Sequence, residues 1–161
     1  TLRKRRRIVP LATHRAVAPQ HRLAFSLRGF SEAEPAFASL EPDATSECHG
    51  LVHTLRPADW LRLCASEGVP FAYTAVPVRL ERYDGVALHA WSLRATRPPA
   101  PSAAPLRPSA RYLGLIREGA RRSNLDERWL AFLDEIEAAP GSAGSSEPAR
   151  DYQRRVGATF V

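Results

Sequence analysis

The sequence contains no methionine among its 161 residues. A chain that lacks an initiator and opens abruptly at Thr1 is read as one from which processing or truncation has removed a preceding segment. Its two cysteines, Cys48 and Cys64, have neither CxxC spacing nor a neighbouring histidine pair. That excludes a zinc framework and leaves both as small core residues. No apolar run approaches the roughly 18 residues that a membrane span requires, and no apolar core follows the basic N-terminus as a secretory signal would demand. The expected location is the cytoplasm or an organelle interior, with no membrane partner. His14, His21, His49, His53 and His89 form no pair at helical metal spacing with a carboxylate partner, so no metal site is expected. There is also no Gly-x-Ser-x-Gly elbow, no glycine-rich phosphate loop and no internal repeat.

What is present describes one soluble globular domain over residues 1–161, flanked by a basic segment (1–12) and a weakly patterned tail (141–161). A hydrophobic fraction of 44% beside 25% charged residues supports a real core. The net charge of +6 comes largely from Arg3-Lys4-Arg5-Arg6-Arg7. No aromatic residue interleaves with that run and no nucleic-acid motif follows it, so it reads as a solvated helix end and nucleic acid is not the expected partner.

Leu23, Phe25 and Leu27 alternate with polar residues, predicting a half-buried strand over 22–28 that Gly29 closes. A short strand is expected near 36–40, turn chemistry over 41–47, and a third strand over 50–55. Val76, Val78 and Leu80 share one face of a strand. Tyr83-Asp84-Gly85 turns that strand into a partner over 86–93, and Pro77 marks an edge or a bulge. Residues 97–105, rich in proline and alanine, form a crossing loop. Two helices follow, one started by Pro108 and carrying Tyr112, Leu113, Ile116 and Ala120. The second is capped by Asn124, with Glu127 completing a capping box ahead of Trp129, Leu130, Phe132, Leu133 and Ile136. A flexible segment is expected over 141–146.

The stretch around Glu67 organises the rest. Pro57 suits a first helical position, Trp60, Leu61 and Cys64 fall at helical spacing, and Gly68 can adopt the left-handed conformation that ends a helix. Glu67 therefore stands at the helix C-terminus, where the dipole and unpaired carbonyls disfavour negative charge. It reads either as a solvated surface carboxylate or as a functional group whose proton affinity is put to use.

Taken in order, Arg22-Leu23-Ala24-Phe25, Glu34-Pro35-Ala36-Phe37-Ala38, His49-Gly50-Leu51-Val52, Ser66-Glu67-Gly68 with Tyr73, and Pro108-Ser109-Ala110-Arg111-Tyr112-Leu113 with Glu118-Gly119-Ala120 resemble the gamma-glutamylcyclotransferase family over about residues 1–137. The resemblance implies an α+β fold, a mostly antiparallel β-barrel with helices packed outside it. It implies that Glu67 acts as general base on the α-amine of a γ-glutamyl group, which then attacks its own γ-carbonyl and closes 5-oxoproline. Such an enzyme, of the acyltransferase or cyclising-lyase type, needs a small-molecule γ-glutamyl substrate and no cofactor. Tyr112 corresponds to a tyrosine that contacts substrate. Tyr73 corresponds to another near the pocket, and equally reads as a core tyrosine with a satisfied hydroxyl. The chain departs from the family in lacking the opening strand with Tyr-Gly-Ser-Asn, so a barrel strand and part of the substrate cradle are expected just ahead of Thr1. Two functions stay open: the cyclising enzyme, and a non-catalytic domain of the same fold that binds a γ-glutamyl compound or a protein partner.

Overall fold

The computed structural model describes residues 6–100 and 103–141. The basic residues 1–5, two positions of the crossing loop and the tail from 142 onward, including most of the segment expected to be flexible, lie outside the described residues.

Two long antiparallel hairpins carry the fold: β1 (Ala12–Ser31) with β2 (Glu34–Thr54), and β3 (Tyr73–Arg82) with β4 (Ala87–Ala95). They meet along a short seam, Ala16 opposite Arg82 and Val17 opposite Glu81, giving one sheet in the order β2-β1-β3-β4. The strands expected separately near 36–40 and 50–55 are two stretches of the single strand β2. The turn chemistry between them is real but forms a bulge. The register jumps from Pro19 opposite Glu47 to His21 opposite Pro42, with Gln20 at φ 58°, while Asp43 Oδ1 accepts the Thr45 N–H at 3.0 Å. An Asx turn inside a strand absorbs extra residues without ending the pairing.

Gly29 does not close β1 as expected, since pairing continues to Ser31 opposite Glu34. It serves instead as a point of close approach: a Cβ built there would lie 1.6 Å from the Glu34 carbonyl oxygen. The second hairpin turns at Tyr83–Gly85, with Gly85 at φ 83°. Pro77 faces Trp91 on β4 and stands beyond the seam with β1, where a missing N–H costs no second ladder.

The expected barrel is not closed. β2 and β4 are the two edges of the sheet, and no ladder joins them among the described residues. Ser39 on β2 links them instead, its hydroxyl accepting the Ala95 N–H at 2.9 Å and donating to Glu41 at 2.6 Å. A side chain interposed between the edges spans a gap that two backbones in a ladder would close directly. The fold is an α+β arrangement with a curled, open sheet.

Among the described residues the helices that complete it are α1 (Pro57–Ser66), α2 (Ala110–Arg122) and α3 (Glu127–Glu135). α2 starts at Ala110 behind the cap Ser109 and not at Pro108, and Asp126, not Asn124, caps α3. The Asp126 carboxylate accepts the N–H groups of Arg128 at 2.9 Å and Trp129 at 3.3 Å. Asn124 sits at φ 50° just past the end of α2, a left-handed position that Asn tolerates and most residues do not. Ile116 and Ala120 of α2 and Trp129 and Leu133 of α3 pack with Ala16, Phe37, Leu40, Val78 and Leu80 of the sheet into one core.

Cys48 belongs to that core, and burial pushes its thiol up to about 12. Cys64 is only partly buried, because it lies on the less covered side of α1, so the expectation of a core residue fails there. A thiol reagent at neutral pH is therefore expected to modify Cys64 in the folded protein and Cys48 only after denaturation. Labelling of both thiols in the native state, read by mass spectrometry, would contradict this packing.

Candidate active site

Pro57 occupies the first turn of α1, and the helix ends where the Glu67 N–H bonds the Leu63 carbonyl at 3.0 Å and Gly68 turns at φ 73°. This geometry carries the Glu67 side chain inward. Glu67 is 5% exposed, which rules out the solvated-surface reading. Its carboxylate makes an ion pair with Arg6, whose side chain is itself only 8% exposed. A carboxylate buried at a helix C-terminus is unfavourable alone, and the guanidinium supplies the compensating charge. Arg6 thus departs from the solvated helix end expected of the basic run and reaches across 61 residues of sequence.

Tyr73 opens β3 and Tyr112 lies in the first turn of α2, and both are buried. Their hydroxyls converge on the backbone of one residue of β2, Ala38. Tyr73 O–H donates to the Ala38 carbonyl at 2.9 Å, whereas Tyr112 Oη accepts the Ala38 N–H at 3.3 Å. The consequence is a difference in polarity. Tyr73 directs its O–H at the backbone, while the Tyr112 hydroxyl is engaged as an acceptor there, which leaves its own O–H for another acceptor. Burial, above all, pushes the Tyr112 phenol well above its ordinary range; the charges of Glu67 and Glu34 act in the same direction, against the Ala38 N–H. The Tyr112 phenol is therefore neutral at physiological pH. Phe37 packs edge-on against its ring at a centroid distance of 5.3 Å.

The structure therefore unites Tyr73 and Tyr112 at Ala38 and places Tyr112 within electrostatic reach of Glu67. It also adds residues that sequence reasoning did not assign. Arg6 was hidden in a charge run. Glu34 and Ser109 stood within the motifs quoted above, but a buried carboxylate on a strand has no periodic signature.

Two clefts lie elsewhere, one of about 220 Å³ beside His49, Trp129 and Phe132 and one of about 360 Å³ beside His21, Arg79 and Leu80. Neither is lined by Glu67, Tyr73 or Tyr112. Among the described residues no group of three or more His, Cys, Asp or Glu side chains is placed to hold a metal ion. No described helix is long and apolar enough to cross a membrane.

No family model matches the chain. It is 33% identical over 165 residues to the gamma-glutamyl cyclotransferase gliK of Aspergillus fumigatus, a match spanning 88% of this chain and 57% of that protein. It is 31% identical over 153 residues to the gamma-glutamyl cyclotransferase aclK of Aspergillus oryzae, spanning 81% and 54% respectively. The chain thus spans a little over half the length of these two relatives. With the gamma-glutamyl cyclotransferase verK of Clonostachys rogersoniana it shares 30% identity over 135 residues, 69% of this chain and 75% of the other. Among solved structures, a gamma-glutamyl cyclotransferase superposes with a TM-score of 0.75 at 20% identity, covering 94% of this chain and 88% of the other. The human protein loc79017 superposes with a TM-score of 0.76 at the same identity and coverage. These two establish a shared fold.

Proposed function

The chain belongs to the gamma-glutamyl cyclotransferase family, and from that premise we propose that it releases 5-oxoproline from a γ-glutamyl amino acid, peptide or amine. The observation that carries the reading is the buried Glu67 carboxylate, held at the end of α1 within electrostatic reach of a phenol that still has a proton to donate.

The chemistry asks for little else. The substrate's α-amine nitrogen attacks its own γ-carbonyl carbon, Glu67 takes the proton that this nitrogen loses, and Tyr112 O–H donates to the oxygen on which negative charge develops. The bond to the leaving nitrogen then breaks, Glu67 returns the proton to that nitrogen, and the lactam ring is closed with no water consumed. Holding the glutamyl chain folded turns the attack into an oriented intramolecular step, which accounts for the remaining acceleration. Tyr73, its own proton committed to Ala38, serves as a wall of the substrate pocket.

A second reading rests on Arg6. Its guanidinium already engages Glu67, and a substrate ammonium must displace it or share the carboxylate with it. In a non-catalytic domain the pair would be permanent, and a γ-glutamyl compound or a protein would bind without turnover. Incubation with a γ-glutamyl amino acid, glutathione and a γ-glutamyl amine in parallel, with 5-oxoproline quantified, separates these readings. Release from at least one class supports the enzyme, and saturable binding without release supports the binding domain. Equal release from all three would exclude selectivity for the leaving group.

A further inference from the structure

We propose that Glu34 is the positioning residue for Tyr112. The inference rests on the reading of Tyr112 as a substrate-contacting donor.

Glu34 opens β2 and is 4% exposed, an unusual place for a carboxylate. Among the described residues its carboxylate bonds to the start of α2. One oxygen, Oε2, accepts the Ser109 hydroxyl at 2.7 Å. The other, Oε1, accepts Arg111 Nε at 2.7 Å and pairs with a terminal nitrogen of the same guanidinium, a two-nitrogen grip on one oxygen. Ser109 is fully buried, and its hydroxyl accepts the Tyr112 N–H at 3.0 Å. A serine hydroxyl carries one proton. With that proton committed to Glu34, its lone pairs are left facing the Tyr112 amide, so the carboxylate sets the direction of the helix cap.

The result is a two-point attachment of α2 to one strand. Glu34 fixes Ser109 and Arg111, which lead into Tyr112, and four residues along β2 the Ala38 N–H meets the Tyr112 hydroxyl at 3.3 Å. The first contact sets where the ring enters, and the second sets where its oxygen rests. The long Ala38 contact would not hold a phenol in place alone, since hydrogen bonds weaken toward that length. The Arg111 side chain is 46% exposed and the Glu34 side chain 5%, so the clasp is anchored at its buried end and open to solvent at the other.

A purely structural buried ion pair predicts a different outcome from a positioning one, and a double-mutant cycle distinguishes them. Glu34→Gln keeps the shape and removes the charge. In the wild-type background it is expected to lower kcat about tenfold with KM little changed, within the coupling range of residues in one network. In the Tyr112→Phe background, where no hydroxyl remains to be positioned, the same substitution is expected to change kcat less than about twofold. An equal loss in both backgrounds, or no loss in the first, overturns the proposal. If Glu34→Gln fails to fold, Arg111→Gln carries the same comparison from the exposed end of the clasp. Hydrogen exchange at the Ala38 amide gives a readout independent of turnover. It should accelerate in Glu34→Gln, and unchanged exchange would overturn the positioning role. A wild-type chain that releases no 5-oxoproline would refute the proposed function, and the Ala38 amide would still decide whether Glu34 places Tyr112.

Discussion

Glu67→Gln is expected to reduce 5-oxoproline release by about a thousandfold, in the range that a general acid–base group supplies, while γ-glutamyl ligand affinity changes by no more than a few-fold. The amide has the carboxylate's size and can still accept a hydrogen bond from Arg6, so the turn after α1 should persist; it cannot take the proton that the attacking amine must lose. The measurement is a kcat and KM comparison on one substrate, with circular dichroism to confirm the fold. A loss confined to kcat is the signature of an interaction needed in the transition state. Wild-type turnover by the substituted protein would remove Glu67 from the mechanism.

The second large effect is on stability. Gly29→Ala places a Cβ where the structure has the Glu34 carbonyl, at 1.6 Å from its oxygen and 2.8 Å from its carbon. Both are backbone atoms of the facing strand, so no rotamer change relieves the clash. The end of the β1–β2 hairpin has to open, and with it the segment that presents Glu34 to Ser109 and Arg111. The expected cost is about 4 kcal/mol or more, the range of a severe steric or backbone change. For a chain of this size that corresponds to a fall in Tm of roughly 10 °C or more. Thermal unfolding followed by circular dichroism reads it directly, and a Tm within about 2 °C of wild type would mean that the close approach is absent. Glycine here serves by lacking a side chain, since no left-handed backbone angle is involved.

These two residues show what was and was not legible in the sequence. Glu67 was visible because a helix start at Pro57, apolar spacing and a glycine stop together fix the position of the residue before that stop. All of those signals are local. Its burial and its partner were not visible, because Arg6 lies in a run whose composition reads as solvated and whose pairing depends on the whole chain folding around it. The hairpin at Tyr83–Gly85 was legible for the same reason as α1: its turn chemistry is contained in three adjacent residues. β2 was misread as two strands because Pro42 to Glu47 have turn chemistry. Only the facing strand, with Gln20 in a left-handed conformation, turns that chemistry into a bulge. Asn124 and Asp126 are both good caps. The choice between them was made by the end of the preceding helix, which placed Asn124 in its own exit turn and left Asp126 to start α3.

The site divides in the same way. Tyr73 and Tyr112 were assigned through resemblance, and their opposite hydrogen-bonding roles came from the Ala38 N–H and C=O, which no sequence pattern marks. Glu34 stood in a quoted motif without an assigned role, since its function depends on a contact 75 residues away. The barrel expected from the family is an open sheet here, bridged at its edges by Ser39.

The most direct test of this account is quantification of 5-oxoproline released from a γ-glutamyl dipeptide by the wild-type chain, with Glu67→Gln as the control. The account predicts 5-oxoproline and free amino acid in equal amounts from the wild type and almost none from the variant. Ligand binding with no 5-oxoproline from either protein would contradict the cyclising reaction and leave a binding domain.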